Sequence, residues 1–282
     1  MMTSAAAEIP TPTPLPGLKT TTLPSNGQLL VEETDELLEA TLAAMRTDIA
    51  KSPAWSGAPT PTDDFLLMFL RAEVFSPFRA ADRYRKFWEW KLALFGEDKA
   101  ALPIKAKDVK EALDRQFLQI LPGVKDVEGR QVVLITPGNI DKTIDRKLRV
   151  QAAWYVLLAA LEDVETQRRG LCFVGLGNTA KLSNIDPKFT KMVLSGVQGV
   201  LPARVGSINL CYPPSFFRLV WGILSVVMHA HVKKRFRVLP GTDDEVRNAL
   251  RPIISPESLP SPIGTKELDF PAWMDTRIRA EV

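Results

Sequence analysis

Gln131-Val-Val-Leu-Ile-Thr-Pro-Gly138 follows the turn signal Glu128-Gly129 and is apolar, β-branched and too short for a helix. It predicts a buried strand, because a strand covered on both faces carries no polar alternation. Leu171-Cys-Phe-Val174 and the run from Arg204 to Leu210 repeat the pattern downstream. Arg235 to Leu239 alternates charged and apolar residues, as a half-exposed edge strand does. Helix-length segments separate these runs. Leu148 to Glu165 is apolar almost all round between Ala152 and Leu161, and Pro187 to Leu201 carries Phe189, Met192, Val193, Val197 and Val200 on one side. Phe216 to Lys234 is a long apolar helix, and Asp243 to Leu250 is a last one. Strands alternating with helices imply a mainly parallel sheet, since parallel neighbours need crossover connections. The predicted fold class is α/β.

Upstream, the pattern is purely helical. Thr34, Asp35 and Glu36 place a cap and acids before Leu37, Leu38, Leu42, Met45 and Ile49. Thr62-Asp-Asp64 opens a second helix with Phe65, Leu66, Phe69 and Leu70 on its apolar side. Pro77, tolerated at a first helical position, starts a third along Ala80, Ala81, Tyr84, Phe87, Trp88 and Phe95. Residues 1–30 are rich in Thr, Pro, Ala and Ser, with Pro10, Pro12, Pro14 and Pro16 alternating with other residues. They are expected to be an extended or disordered tail without a signal peptide. Three segments result: the tail at 1–30, a helical unit at 31–98 and an α/β domain at 99–282.

With 282 residues and 45% hydrophobic content, the chain can bury a sizeable core without staples. A net charge of +3 does not argue for nucleic acid, and no such partner is expected. Cys172 and Cys211 sit inside strand-like runs, where free thiols behave as small hydrophobes, and their spacing fits neither a disulfide framework nor a metal site. The longest apolar run, Leu219 to Met228, is shorter than the roughly 20 residues of a spanning helix.

Catalytic signals are sparse. His229 and His231 are the two histidines; two residues apart on one helix, they would point to different faces. Gly175-Leu-Gly177-Asn-Thr-Ala180 follows a strand and matches a loose dinucleotide pattern, yet Pro187 and Lys181-Leu-Ser-Asn184 delay the helix that a pyrophosphate requires. A dehydrogenase using that turn is the enzymatic rival; the reading preferred here is not an enzyme and needs no metal or cofactor. Phe216-Phe-Arg-Leu-Val-Trp-Gly-Ile-Leu-Ser-Val-Val-Met228 is apolar around its circumference apart from Arg218. Such a helix is either buried on all sides or a lid with one face on a pocket and the other on lipid. His231, Lys233, Lys234, Arg235 and Arg237 follow at once, and basic residues beside an apolar surface are what adsorption to anionic lipid requires.

Phe65-Leu-Leu-Met-Phe-Leu-Arg-Ala72 with Phe75, then Trp88 and Trp90, resembles the N-terminal helical part of CRAL-TRIO proteins. Gly129-Arg130-x-Val-Val resembles the entry into that family's sheet. Leu201-Pro-Ala-Arg204 through Ile208-Asn-Leu210 resembles its Tyr-Pro-x-Arg…Ile…Asn segment, and Leu259-Pro-x-Pro-Ile-Gly264 its closing motif. The resemblance covers roughly residues 60–270 and is carried by the order of these motifs. Met68 stands where an arginine is usual, Gly175 where a strand-end aspartate is usual, and Gly206 where a basic residue is common.

The resemblance implies a helical cap, a mainly parallel sheet forming one wall of a lipid cavity, and a gate helix at about Phe216 to His231. Known ligands of the family include phosphatidylinositol, tocopherols, retinoids and squalene. Ser225-Val-Val227 replaces the gate Lys-Pro-Phe of the phosphatidylinositol-transfer branch, which leaves a buried phosphate without its lysine. The closer likeness is to the tocopherol-transfer and retinaldehyde-binding branch, which grips membrane phosphoinositides through a basic patch. The expectation is a monomeric, cytoplasmic, transiently membrane-associated protein carrying a lipid or isoprenoid between membranes with anionic lipids. Phosphatidylinositol or other phospholipid transfer, or a regulatory interaction module with a vestigial pocket, are the alternatives. Expected lipid contacts are Tyr155, Leu158, Phe173, Val193, Val197, Ile208, Phe216, Val220, Leu224 and Val227. Expected membrane contacts are Arg204, His231, Lys233 and Arg235.

Overall fold

The computed structural model describes residues 17–53 and 55–281. The chain opens on an antiparallel hairpin, β1 (Thr20–Thr22) and β2 (Leu29–Val31). Helices α1 (Asp35–Lys51), α2 (Asp63–Ala72) and α3 (Pro77–Phe95) follow, then the one-turn α4 (Glu97–Ala100) and α5 (Lys110–Leu113). Next come β3 (Leu118–Lys125), β4 (Gln131–Ile135), α6 (Arg146–Ala160), α7 (Val164–Arg169) and β5 (Leu171–Leu176). After these come α8 (Pro187–Gly199), β6 (Val205–Cys211), α9 (Phe217–Val227), α10 (Ala230–Lys233) and β7 (Phe236–Leu239). The chain closes with α11 (Asp243–Leu250) and α12 (Phe270–Ala280).

Short polar side chains set the helix starts. Thr34, Thr62, Asp145 and Asp186 accept hydrogen bonds from the N–H groups of Leu37, Phe65, Leu148 and Phe189, which would otherwise be unsatisfied. Thr242 and Glu245 form a reciprocal capping box at α11.

The main sheet runs in the order β3-β4-β5-β6-β7, antiparallel between β3 and β4 and parallel thereafter. Its register aligns Ile120, Val133, Phe173, Ile208 and Phe236 in one row across all five strands. Because side chains alternate, this row shares a face and its neighbours point the other way. The row's face meets α6, α8 and the helical unit in the larger core, while Val132, Leu134, Cys172 and Val174 pack against Val246 and Leu250 of α11 in a smaller one.

The larger core runs across the boundary expected at residue 98. Trp154 of α6 is fully buried and stacks on Phe87 of α3 at 5.4 Å. Glu73 at the end of α2 pairs with Arg83 of α3, whose guanidinium donates to the carbonyls of Gln198, Leu201 and Ala203.

Several expectations need correction. Of the tail expected at 1–30, residues 1–16 lie outside the described residues, but 20–31 form the hairpin. It is pinned by tertiary contacts: Asn26 donates to the Gly206 carbonyl at 2.9 Å, Gln28 to that of Val205 at 3.2 Å, and Leu23 is buried. The helix expected from Leu148 to Glu165 is two, α6 and α7, because Asp163 caps a fresh start at Val164 by accepting from the Thr166 N–H. The helix expected from Phe216 to Lys234 breaks at Met228 and His229. Strand β3 and helix α12 were not expected at all.

Trp154→Ala should remove about 3–5 kcal/mol of stability by leaving a cavity where both units meet. Urea unfolding followed by tryptophan fluorescence and by far-ultraviolet circular dichroism should shift to lower denaturant with the two curves still coincident. Separate transitions would contradict a core shared by the two units.

Candidate functional site

Two cavities adjoin each other beside the sheet. The first has a volume of about 260 Å³ and lies between β4, β5 and β6 on one side and α8 and α9 on the other. Register places Ile135, Phe173, Gly175, Ile208 and Leu210 on its floor. Gly175 keeps that floor low: a Cβ there would sit 3.3 Å from the Leu210 side chain. Val193 and Val197 of α8 form a second wall, and Phe216, Phe217, Val220, Leu224 and Met228 form the third.

Helix α9 does not have a single buried residue, although it is apolar nearly throughout. Its inner residues line the cavity, while Leu219 is 59% and Val226 80% exposed on the outside. The helix is therefore not packed on all sides: one face lines the cavity and the other is exposed. Phe217 and Trp221 lie against Phe236 of the edge strand, with ring centroids 6.3 and 5.0 Å apart, so the helix rests on aromatic contacts.

The end of α9 is held by Gln198 of α8. Its amide accepts from the His229 N–H at 2.7 Å and donates to the Val227 carbonyl at 3.2 Å. Met228 is thereby drawn into extended backbone and its side chain into the cavity. That break corrects the expectation for Val227, which is not part of the lining; Met228 takes its place. Phe173, Val193, Val197, Ile208, Phe216, Val220 and Leu224 do line this cavity together. Tyr155 and Leu158 do not. They lie on another side of α6, facing a cleft beside α2 and α3, while Ala153 and Leu157 face the cavity.

The second cavity, about 310 Å³, shares Val197, Gln198, Val205 and Val232 with the first as a common wall. Arg79, Arg83, Arg204, His231 and Arg235 line it, with Glu73 as its carboxylate. Gly27, Gln28 and Leu29 of the hairpin cover one side. Glu73 pairs with Arg79 at 2.9 Å and Arg83 at 2.8 Å. Arg204 donates to the Arg168 carbonyl and Arg235 to the Val205 carbonyl, each at 2.7 Å, which leaves further guanidinium donors on both. Burial, then Arg235, pushes Arg204 down to about 10; burial, then Arg130, does the same to Arg235. Both stay cationic at neutral pH.

Three of the four expected membrane residues, Arg204, His231 and Arg235, thus meet in one cavity. Lys233 is exposed and outside it. Arg79 and Arg83 were missed; they sit one turn apart on α3, a spacing that also fits a solvated face. Gly206 has a structural reason: a Cβ there would strike the buried Arg130 side chain at 2.6 Å. The space that a side chain at 206 would need is filled by Arg130, which pairs with Asp126 and Glu128.

The two histidines also differ from expectation. His229 precedes α10 in extended backbone, so the rings approach to 5.7 Å where a continuous helix would separate them. No group of three or more His, Cys, Asp or Glu able to hold a metal occurs among the described residues. After Gly175 and Gly177 the chain forms one-turn 3-10 helices, not the helix start that a pyrophosphate needs.

The model of the CRAL/TRIO domain matches residues 114–264, more than half of the chain, and the chain belongs to that family. The family's members are lipid-binding and lipid-transfer proteins and not enzymes. Clavesin-1 of Xenopus laevis is 27% identical over 259 residues, covering 89% of this chain and 75% of the relative. Human Clavesin-2 is 28% identical over 230 residues, covering 78% of this chain and 68% of the relative. A crystal structure of Sfh5 superposes with a TM-score of 0.48 at 13% identity, covering 72% of this chain and 77% of the other. No described helix is long and apolar enough to cross a membrane.

Two predictions follow from this geometry. Leu224→Trp should fill the first cavity and abolish uptake of an apolar fluorescent probe, whereas Val227→Trp should spare it. Equal uptake by both variants, each folded by circular dichroism, would contradict the lining. The second concerns His231, which is pushed down to about 4, by burial first and then by Arg235, His229, Arg83 and Arg79. Glu73 and Arg204 line the same cavity. In the unfolded chain this residue takes a proton near pH 6.5, which the folded state refuses until about 4. Stability is therefore lost as pH falls through that window. The drop in Tm between about pH 7 and about pH 5 should be smaller in His231→Gln than in the unaltered chain. An equal drop would refute the assignment.

Proposed function

We propose that this chain holds one hydrophobic lipid or isoprenoid molecule in the cavity behind α9 and carries it between membranes, with α9 as the gate. The observation that carries this reading is a helix apolar on both sides: Val220 and Leu224 on the cavity, Leu219 and Val226 toward the outside. An outer apolar face costs free energy in water and gains it in a lipid surface. Inside, ligand burial would contribute roughly 25 cal/mol per Å² before ordering costs are subtracted.

The interior favours a ligand without a buried phosphate. Among the described residues, Lys181 is the one lysine of the lining, and no arginine lines it. This supports a neutral isoprenoid or acyl lipid over phosphatidylinositol held head-inward, because a buried phosphate without a cationic partner is expensive. The open volume speaks against a vestigial pocket, which would be filled by side chains.

The basic cavity is the proposed grip on anionic headgroups of the membrane, phosphoinositides among them. Among the described residues its arginines exceed its one carboxylate, and charge-assisted bonds from guanidinium to phosphate are strong and directional. Its common wall with the first cavity supports coupling: Gln198 borders both and holds the end of the gate. Headgroup binding beside His231 and Arg235 would act on α10 and, through that break, on α9.

Arg204→Gln with Arg235→Gln should weaken binding to phosphatidylcholine vesicles containing a few per cent phosphatidylinositol bisphosphate by about ten-fold or more. Ligand loading without vesicles should be unaffected, and Lys233→Gln should have a smaller effect on vesicle binding. Unchanged sedimentation of the double variant at low salt would overturn the assignment of the basic cavity.

A further inference from the structure

Tyr155 and Leu158 open a question of their own, because the cleft they line contains a buried lysine. This cleft, about 370 Å³, lies between α2, α3, α6 and α12. Its apolar wall is made by Phe65, Met68, Phe87, Ile104 and Leu158. Lys91 of α3 is 6% exposed and faces it. Its ammonium donates to the Leu102 carbonyl at 2.8 Å and lies 4.9 Å from the Trp88 ring centroid and 5.9 Å from that of Phe87.

An ammonium has three N–H donors. One is used by Leu102, and the aromatic faces give partial compensation to the charge. No carboxylate lies within ion-pair distance of Lys91 among the described residues, whereas the buried Arg83 pairs with Glu73. The acids of the cleft are otherwise engaged or exposed. Glu162 takes both terminal nitrogens of Arg277, at 2.6 and 2.8 Å. Asp64 is exposed in the first turn of α2, and Glu281, outside the lining, is held by Tyr155 and Arg277 and by the Ala106 N–H. Burial pushes Lys91 down to about 8, so it is mostly charged at neutral pH and lacks a counter-ion. A desolvated, unpaired charge is a costly arrangement that an incoming anion relieves.

We propose that this cleft is a second ligand site, distinct from the cavity behind α9, which takes a small apolar carboxylate with its head on the Lys91 ammonium and its body against Phe65, Met68 and Leu158. The carboxylate would satisfy the two remaining N–H donors, and the apolar body would cover the cleft wall. Because the cleft borders α3, α6 and α12, occupation would also brace the helical unit against the α/β domain. The proposal does not depend on the lipid reading of the first cavity.

The test uses 4-phenylbutyrate and its neutral counterpart 4-phenylbutanol, titrated calorimetrically into the full chain carrying Leu224→Trp, so that the first cavity is already filled. One equivalent of the carboxylate should bind, at least about ten-fold more tightly than the alcohol. Adding Lys91→Met should remove that preference while leaving the alcohol's affinity unchanged. Equal affinity for acid and alcohol, no binding of either, or an unchanged preference in a folded Lys91→Met chain would each overturn the proposal. Should Lys91→Met fail to fold, the Leu224→Trp chain alone gives the answer. Phenylbutyrate should slow acetylation of Lys91, read by peptide mass spectrometry, and leave the exposed Lys233 unaffected. Unslowed acetylation of Lys91 would overturn the site.

Discussion

The side chain of Gln198 ties α9 to the rest of the protein. It is 4% exposed, projects from α8 between the two cavities, and satisfies both the Val227 carbonyl and the His229 N–H. Without it, two backbone groups at the end of α9 would be left unpaired next to an apolar cavity, each costing on the order of 1–3 kcal/mol. Its backbone carbonyl in turn receives Arg83, which answers to Glu73 at the end of α2. A continuous path of hydrogen bonds therefore runs from the helical unit through α8 to the hinge between α9 and α10. Helix α9 is held at that end by directional bonds and toward its other end by aromatic packing on Phe236.

This arrangement separates two kinds of recognition that interfere when combined. The sheet floor and the inner face of α9 offer surface area and almost no fixed polar partner, which suits a ligand selected by shape and apolar area. The basic cavity sets several guanidinium donors among its apolar walls, which suits a phosphate. Each cavity would be a poor host for the other's ligand, because phosphate in the first lacks cations and hydrocarbon in the second would strand arginine donors. Their shared wall makes them neighbours without merging them, so events in one are mechanically close to the other.

Much of this was legible in the chain. The short, largely apolar runs at 131–138, 171–174 and 204–210 foretold the three central strands, since burial on both faces weakens polar alternation. The floor residues Phe173 and Ile208 followed from apolar type and predicted facing. Facing on α6 was not legible in the same way: a helix apolar all round has no angular signal, and Tyr155 and Leu158 turned out to lie on another side of it from Leu157. The Met228 break was hidden because its cause, Gln198, lies some thirty positions upstream. The hairpin at Thr20–Val31 is held by Asn26 and Gln28 against β6, a tertiary contact that local composition does not register. Arg79 and Arg83 gain their meaning only when α3 is docked beside His231 and Arg235.

The central claim is that the cavity behind α9 is a ligand site and not a packing defect. Native mass spectrometry of the purified full chain, with organic extraction and identification of whatever is released, tests it most directly. The account predicts one hydrophobic molecule per chain, without a phosphate head buried inside. A chain that flies at its bare polypeptide mass and refuses phospholipids, tocopherols and retinoids offered in turn would contradict it.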